Sequence, residues 1–160
     1  GIMKAYSTCV GEGPFTAEYF GEKAEKLRAA GGEYGAATGR PRRVGPFDVV
    51  ASRYGIRCQG SDEIALTKLD VLSEFEELEI CTAYELNGKI IHEFPFTDAL
   101  DLCKPVFETV RGWHCDITSC RKFEDLPKAA QDYVLLLEKL CECNIKYISV
   151  GAEREQIIVR

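Results

Sequence analysis

Apolar residues at 130, 133, 134, 137, 140 and 141 recur at three- and four-residue spacing, so Ala130, Tyr133, Val134, Leu137, Leu140 and Cys141 share one stripe of a helix over roughly 127–143. Asp125 suits its cap and Pro127 its first turn. A second helix is predicted over 16–30, with Phe20, Ala24, Leu27 and Ala30 on one face, Glu and Lys opposite, and Gly31-Gly32 as its stop. A third follows Pro46 over roughly 47–59, where Val49, Val50, Arg53, Tyr54 and Arg57 make apolar and basic stripes. Strand-like runs fall at 2–10, 63–69, 79–86, 89–94, 145–150 and 156–159. The third and fourth flank Asn87-Gly88, the strongest short hairpin signal. Turns are expected at Gly11–Pro14 and Gly151–Arg154. Residues 31–45, with five glycines, read as a loop, and 95–124 as irregular chain anchored by Phe107, Trp113 and Phe123.

This mixture predicts an α/β domain: a mixed sheet with flanking helices and a β-hairpin, with no internal repeat. Its 160 residues suffice for one domain with a proper core. Hydrophobic content of 46% and charged content of 29% are those of soluble globular proteins. No apolar run approaches the roughly 20 residues needed to span a bilayer, and no signal-peptide pattern opens the chain. A cytoplasmic protein with no membrane partner is expected. The net charge of −6 argues against a general nucleic-acid binder. What positive charge there is gathers at Arg40, Arg42 and Arg43. The eight cysteines are scattered without a C-x-x-C pair and read as reduced thiols. Cys115, Cys120 and His114 lack the tight paired spacing of zinc sites. Cys141 and Cys143, two apart in a helix, would point to different faces. His92 reads as a strand residue without a chemical role. The chain opens on a strand-like run, as if inside an element; loss of an initiator or excision from a longer protein would each account for this.

Candidate chemistry concentrates in three places. Residues 62–70 deliver an apolar run, Ile64-Ala65-Leu66, into Thr67-Lys68-Leu69-Asp70. A carboxylate at Asp70 can accept from both the ring N–H and the exocyclic amino group of guanine, a pair that adenine does not offer. The stem of Lys68 can lie over the base face while Thr67 anchors the turn. A four-residue pattern is weak alone, and a strand end with a solvated Lys-Asp pair fits it too. The segment Gly35-Ala36-Ala37-Thr38-Gly39-Arg40-Pro41-Arg42-Arg43 joins glycines that let backbone approach an anion, donors at Thr38 and the backbone, and arginines that grip carboxylate or phosphate. Pro41 separates Arg40 from Arg42, so the two can face different ligands. At Ile148-Ser149-Val150-Gly151, a Ser at a strand's carboxyl end followed by Gly permits close approach to a base. Neither G-x-x-x-x-G-K-[ST] nor G-x-G-x-x-G occurs in these residues.

Taken together, Lys4-Ala5-Tyr6-Ser7-Thr8 with Gly11-Glu12-Gly13-Pro14-Phe15, the 35–43 segment, Leu66-Thr67-Lys68-Leu69-Asp70-Val71-Leu72, Gly112-Trp113, Leu126-Pro127 and Ile148-Ser149-Val150-Gly151 resemble adenylosuccinate synthetase along the whole chain. That family joins IMP to L-aspartate with GTP and magnesium to make adenylosuccinate for AMP synthesis, and is typically a homodimer. The resemblance implies an aspartate-binding loop at Ala36, Ala37, Thr38, Gly39, Arg40, Pro41 and Arg42. It implies IMP contact by Arg40, and GTP contact by Arg42, Lys68, Leu69, Asp70, Ser149, Val150 and Gly151. It further implies the C-terminal portion of a larger P-loop-GTPase-like α/β enzyme, with the phosphate loop, catalytic residues and magnesium ligands outside these 160 residues. A non-catalytic guanine-nucleotide or anion-binding module is the alternative.

Overall fold

The computed structural model describes residues 1–160. The first apolar run does not form one strand. It divides into β1 (Ile2–Lys4) and β2 (Ser7–Cys9), which join different sheets. Between them Ala5 and Tyr6 are buried, and Ala5 is held from both sides: its N–H donates to Thr67 O at 2.8 Å, and Tyr133 donates to its carbonyl at 2.7 Å. The first helix, α1 (Gly21–Gly31), starts later than its stripe predicts. Residues 15–20 turn instead, with Tyr19 N–H donating to Val44 O, and Phe20 stays 77% exposed while Ala24 and Leu27 face the core. The predicted stop is observed: Gly32 adopts φ +60° and its N–H caps the last turn.

The expected glycine loop contains β3 (Arg43–Gly45), antiparallel to β2. β4 (Phe47–Asp48) then leads directly into α2 (Val49–Gln59), whose first turn is capped by the Asp48 carboxylate accepting from Ala51 N–H at 3.0 Å. β5 (Glu63–Thr67) is followed by a 3-10 turn over Leu69–Glu74 that the pattern does not announce. β6 (Glu77–Leu86) and β7 (Lys89–Ile91) form the predicted hairpin, although β7 ends before His92. After the short α3 (Thr97–Leu100), the supposedly irregular stretch holds β8 (Lys104–Arg111), paired along most of β6. None of its residues is fully buried, so it lacks the apolar alternation that would reveal it.

α4 (Lys128–Cys141) is the best-read element. Ala130, Tyr133, Val134, Leu137 and Cys141 are buried and Leu140 packs at the core's margin. Each large aliphatic side chain buried here contributes about 1.5–3 kcal/mol. Asp125 is not its cap. That carboxylate accepts from the N–H groups of Arg121 and Lys122, closing the 3-10 turn Phe123–Asp125. Cys143 lies past the helix end, so the two-apart argument for Cys141 and Cys143 concerns one helical residue and one beyond it; both are buried. β9 (Asn144–Ser149) and β10 (Ile157–Val159) complete the chain.

The sheet that matters for the site has the order β1-β5-β9-β10, with the first three parallel and β10 antiparallel. Its register sets Lys4 beside Thr67 and Leu66 beside Ile148. The three parallel strands therefore end together. The main core unites this sheet with α1 and α4, and a smaller cluster lies around Ala17, Val50, Cys81 and Tyr84. No helix is long and apolar enough to cross a membrane.

Candidate functional site

In open α/β sheets ligands collect where parallel strands reach their carboxyl ends. Here β1 delivers Lys4, β5 delivers Thr67–Asp70 and β9 delivers Ser149–Gly151 to that edge. The Thr67 hydroxyl donates to Met3 O of β1 at 3.1 Å, so it ties the ends of the two strands together rather than anchoring the turn. Lys68 sits at φ +59°. A residue with a Cβ incurs a cost of about 1–2 kcal/mol in that region, so surrounding contacts must hold it there. They do: its ammonium donates to Gly31 O at 2.7 Å and to Glu33 at 3.1 Å. Leu69 is buried beneath.

Asp70 is half-buried, and no side chain pairs with its carboxylate. Burial pushes its pKa above the ordinary aspartate value; its own backbone N–H and the charge of Lys68 pull the other way, and Asp116 adds a further upward push. A carboxylate left partly desolvated and unpartnered is unusual on structural grounds alone. The 3-10 turn carrying it touches β9. There Ser149 donates to Gly151 O at 2.8 Å, Val150 is buried, and Val150 N–H donates to Gln156 O at 2.9 Å. A Cβ at Gly151 would lie 2.1 Å from the Gln156 amide oxygen, so this turn is packed on the side chain that braces it.

The 35–43 segment belongs to a closed hairpin. Arg42 N–H donates to Glu33 O and Gly35 N–H to Arg40 O, both at 2.9 Å, with a bridge between Tyr34 and Pro41. Inside it Gly39 N–H donates to Gly35 O, and Arg40 N–H reaches the Thr38 hydroxyl at 3.3 Å. Ala36, Ala37, Thr38 and Gly39 form its tip. Its three arginines separate sharply. Arg40 is 71% exposed and meets only Glu12, at 3.9 Å. Arg42 donates to Glu33 at 2.9 Å. Arg43 is spent on structure: it grips Glu18 through two nitrogens and donates to the carbonyls of Gly11 and Gly13. Arg43→Met is accordingly expected to lower stability by about 1–3 kcal/mol in thermal denaturation. An unchanged midpoint would show those bonds to be idle.

The residue that sequence reasoning missed is Glu33. It is fully buried, and its carboxylate accepts from Tyr6 at 2.5 Å, Lys4 at 2.9 and 3.1 Å, Arg42 at 2.9 Å and Lys68 at 3.1 Å. Burial by itself would raise its pKa, but the donors outweigh burial and hold it at about 2. No local pattern singles it out: Glu33 follows two glycines, and its partners Lys4, Tyr6, Arg42 and Lys68 come from distant or separately read segments. All eight cysteines are free, and no group of three or more His, Cys, Asp or Glu is arranged to hold a metal ion.

With this geometry in place, similarity to known proteins is informative. The family model for adenylosuccinate synthetase matches residues 1–158. Adenylosuccinate synthetase of Geotalea daltonii is 52% identical over 160 residues, covering 99% of this chain and 37% of that protein. The Synechococcus protein of the same name is 51% identical, with 99% of this chain and 36% of that protein covered. Among solved structures, a fully ligated adenylosuccinate synthetase from Plasmodium falciparum superposes with a TM-score of 0.92 at 38% identity, covering 98% of this chain and 38% of that one. The chain thus spans a little over a third of the length of these relatives.

Proposed function

The chain belongs to the adenylosuccinate synthetase family, and from that premise we propose that it supplies the aspartate loop and the guanine pocket of an enzyme that ligates IMP and L-aspartate at the expense of GTP. The aspartate loop is Ala36–Arg42, with Arg40 also reaching IMP and Arg42 reaching GTP. The guanine pocket is Lys68, Leu69 and Asp70 facing Ser149, Val150 and Gly151. The observation that carries this reading is Asp70: a half-buried carboxylate without a side-chain partner, at the carboxyl edge of a parallel sheet. Two adjacent N–H donors on one rigid edge offset its desolvation, and guanine presents them. Leu69 and Val150 are fully buried in the core and fix the two turns from beneath.

The chemistry would run by phosphorylation of the IMP 6-oxygen by GTP, then displacement of that phosphate by the aspartate amine. This chain's residues bind and orient. Arg40 and the loop backbone hold the substrate carboxylates, and Asp70 selects the base. Magnesium does not fit the donors at this edge, because both oxygens of Glu33 are occupied by cations and Asp70 stands apart. Triphosphate positioning and the metal are assigned to residues outside this stretch, in a homodimer of the whole enzyme.

Calorimetric titration of the 160-residue chain with GTP and with ATP tests the reading. GTP is expected to bind at roughly millimolar strength, about −4 kcal/mol, because only the base and part of the anion shell are present. ATP should bind more weakly still. Equal affinity for the two would overturn the base assignment. Adenylosuccinate formation by these residues alone is expected to be undetectable, and turnover at ordinary enzyme rates would overturn the division of labour.

A further inference from the structure

Three cations converge on one buried carboxylate at the site's edge. Lys4, Arg42 and Lys68 surround Glu33, each with about a third of its side chain open to solvent: 28%, 34% and 37%. Against one negative charge they leave a surplus of two positive charges. They also crowd the carboxyl end of α1, whose partial negative charge favours them there. Tyr6, buried behind, donates to the same oxygen that receives Lys68 and so fixes which way the carboxylate faces. The backbone of Glu33 closes the anion loop as well, through the Arg42 N–H.

We propose that Glu33 is the positioning residue that sets Lys68 and Arg42 relative to each other, so that one buried carboxylate aligns the guanine end of the site with its anion loop. The inference rests on the assignment of Lys68 and Arg42 to ligand contact made above. The three are committed to different degrees: the Lys4 ammonium is spread over the Thr8 hydroxyl and both Glu33 oxygens, the Lys68 ammonium divides between Gly31 O and Glu33, and Arg42 is tethered at one nitrogen only. Arg42 uses one nitrogen on Glu33, which leaves the rest of its fork available. The aliphatic stem of Lys68 is held across the edge while its ammonium is tied back. Without the carboxylate, three like charges within hydrogen-bond reach of one point would repel and scatter. Arg40 lies outside this arrangement, its one ionic contact being Glu12.

The test is made in the intact enzyme. Glu33→Gln keeps the shape and removes the charge. It is expected to raise both the Kd for GTP and the KM for aspartate about ten- to hundredfold, with the KM for IMP within about twofold. A merely structural Glu33 would instead lower the folded fraction, so that kcat falls and no KM moves. Glu33→Asp retains the charge but pulls it back by one methylene. It should shift the same two constants in the same direction by a smaller factor, about threefold. Wild-type values for the folded Asp variant would overturn the proposal even if the Gln variant does not fold. Failure of the wild-type enzyme to prefer GTP over ATP would overturn the base assignment, and the proposal with it. GTP preference in the wild type with unmoved constants in both variants would overturn the positioning role alone.

Discussion

Asp70→Asn in the intact enzyme is expected to raise the KM for GTP about tenfold to a hundredfold, the loss of a charge-assisted pair being worth about 1.5–3 kcal/mol. The cause is specific. The carboxylate accepts twice, whereas the amide accepts once and turns a donor toward the guanine amino group. That mismatch becomes a match for xanthine, whose 2-oxo group accepts from the amide, so xanthosine triphosphate should gain where GTP loses. Loss of GTP use without gain of xanthosine triphosphate would indicate damage to the turn rather than altered recognition. Unchanged GTP kinetics would remove Asp70 from the base pocket.

The same residue carries a pH dependence. Its pKa is raised, chiefly by burial, and only the ionised form accepts from both donors. On the proposed assignment, GTP affinity is therefore expected to be full at neutral pH and lost as pH falls through the raised value, beginning above the 3.8 of an ordinary aspartate. Glu33, held at about 2, stays ionised through that window. A GTP binding profile flat down to pH 4 would contradict the unpartnered carboxylate.

What was legible in the sequence was what short-range patterns determine. Asn87-Gly88 and α4 were read correctly because a two-residue turn and a five-residue buried stripe carry their own signal. β8 was missed because its stability comes from backbone pairing with β6 and not from a buried face. The single strand expected over 2–10 broke at Ala5-Tyr6 because Tyr6 is drawn to Glu33, 27 positions away. Residues 67–70 and 149–151 stand out only singly in the sequence, because their common edge depends on β5 and β9 being parallel neighbours. Glu33 follows two glycines and looks like any solvated acid. Only the fold brings Lys4, Arg42 and Lys68 to it.

The arginine cluster shows how far apart neighbours of one type can be in role, and Arg40 is the one expected to show the largest effect on turnover. Arg43 is held by four contacts and Arg42 by a buried carboxylate, whereas Arg40 reaches solvent with a single 3.9 Å ionic neighbour. Nothing in the fold needs its charge. Arg40→Leu should therefore leave thermal stability within about 0.5 kcal/mol, as at other exposed positions. A guanidinium shared between the aspartate carboxylates and IMP would stabilise charge as the amine attacks, and removing one such donor costs about 100-fold or more in kcat. Arg40→Lys should recover only part of this, because an ammonium lacks the planar fork that spans two oxygens. The paired measurement decides: a lowered melting point with proportionate loss of activity would make Arg40 a structural residue. Wild-type turnover in a stable Leu variant would place the aspartate site elsewhere on this edge.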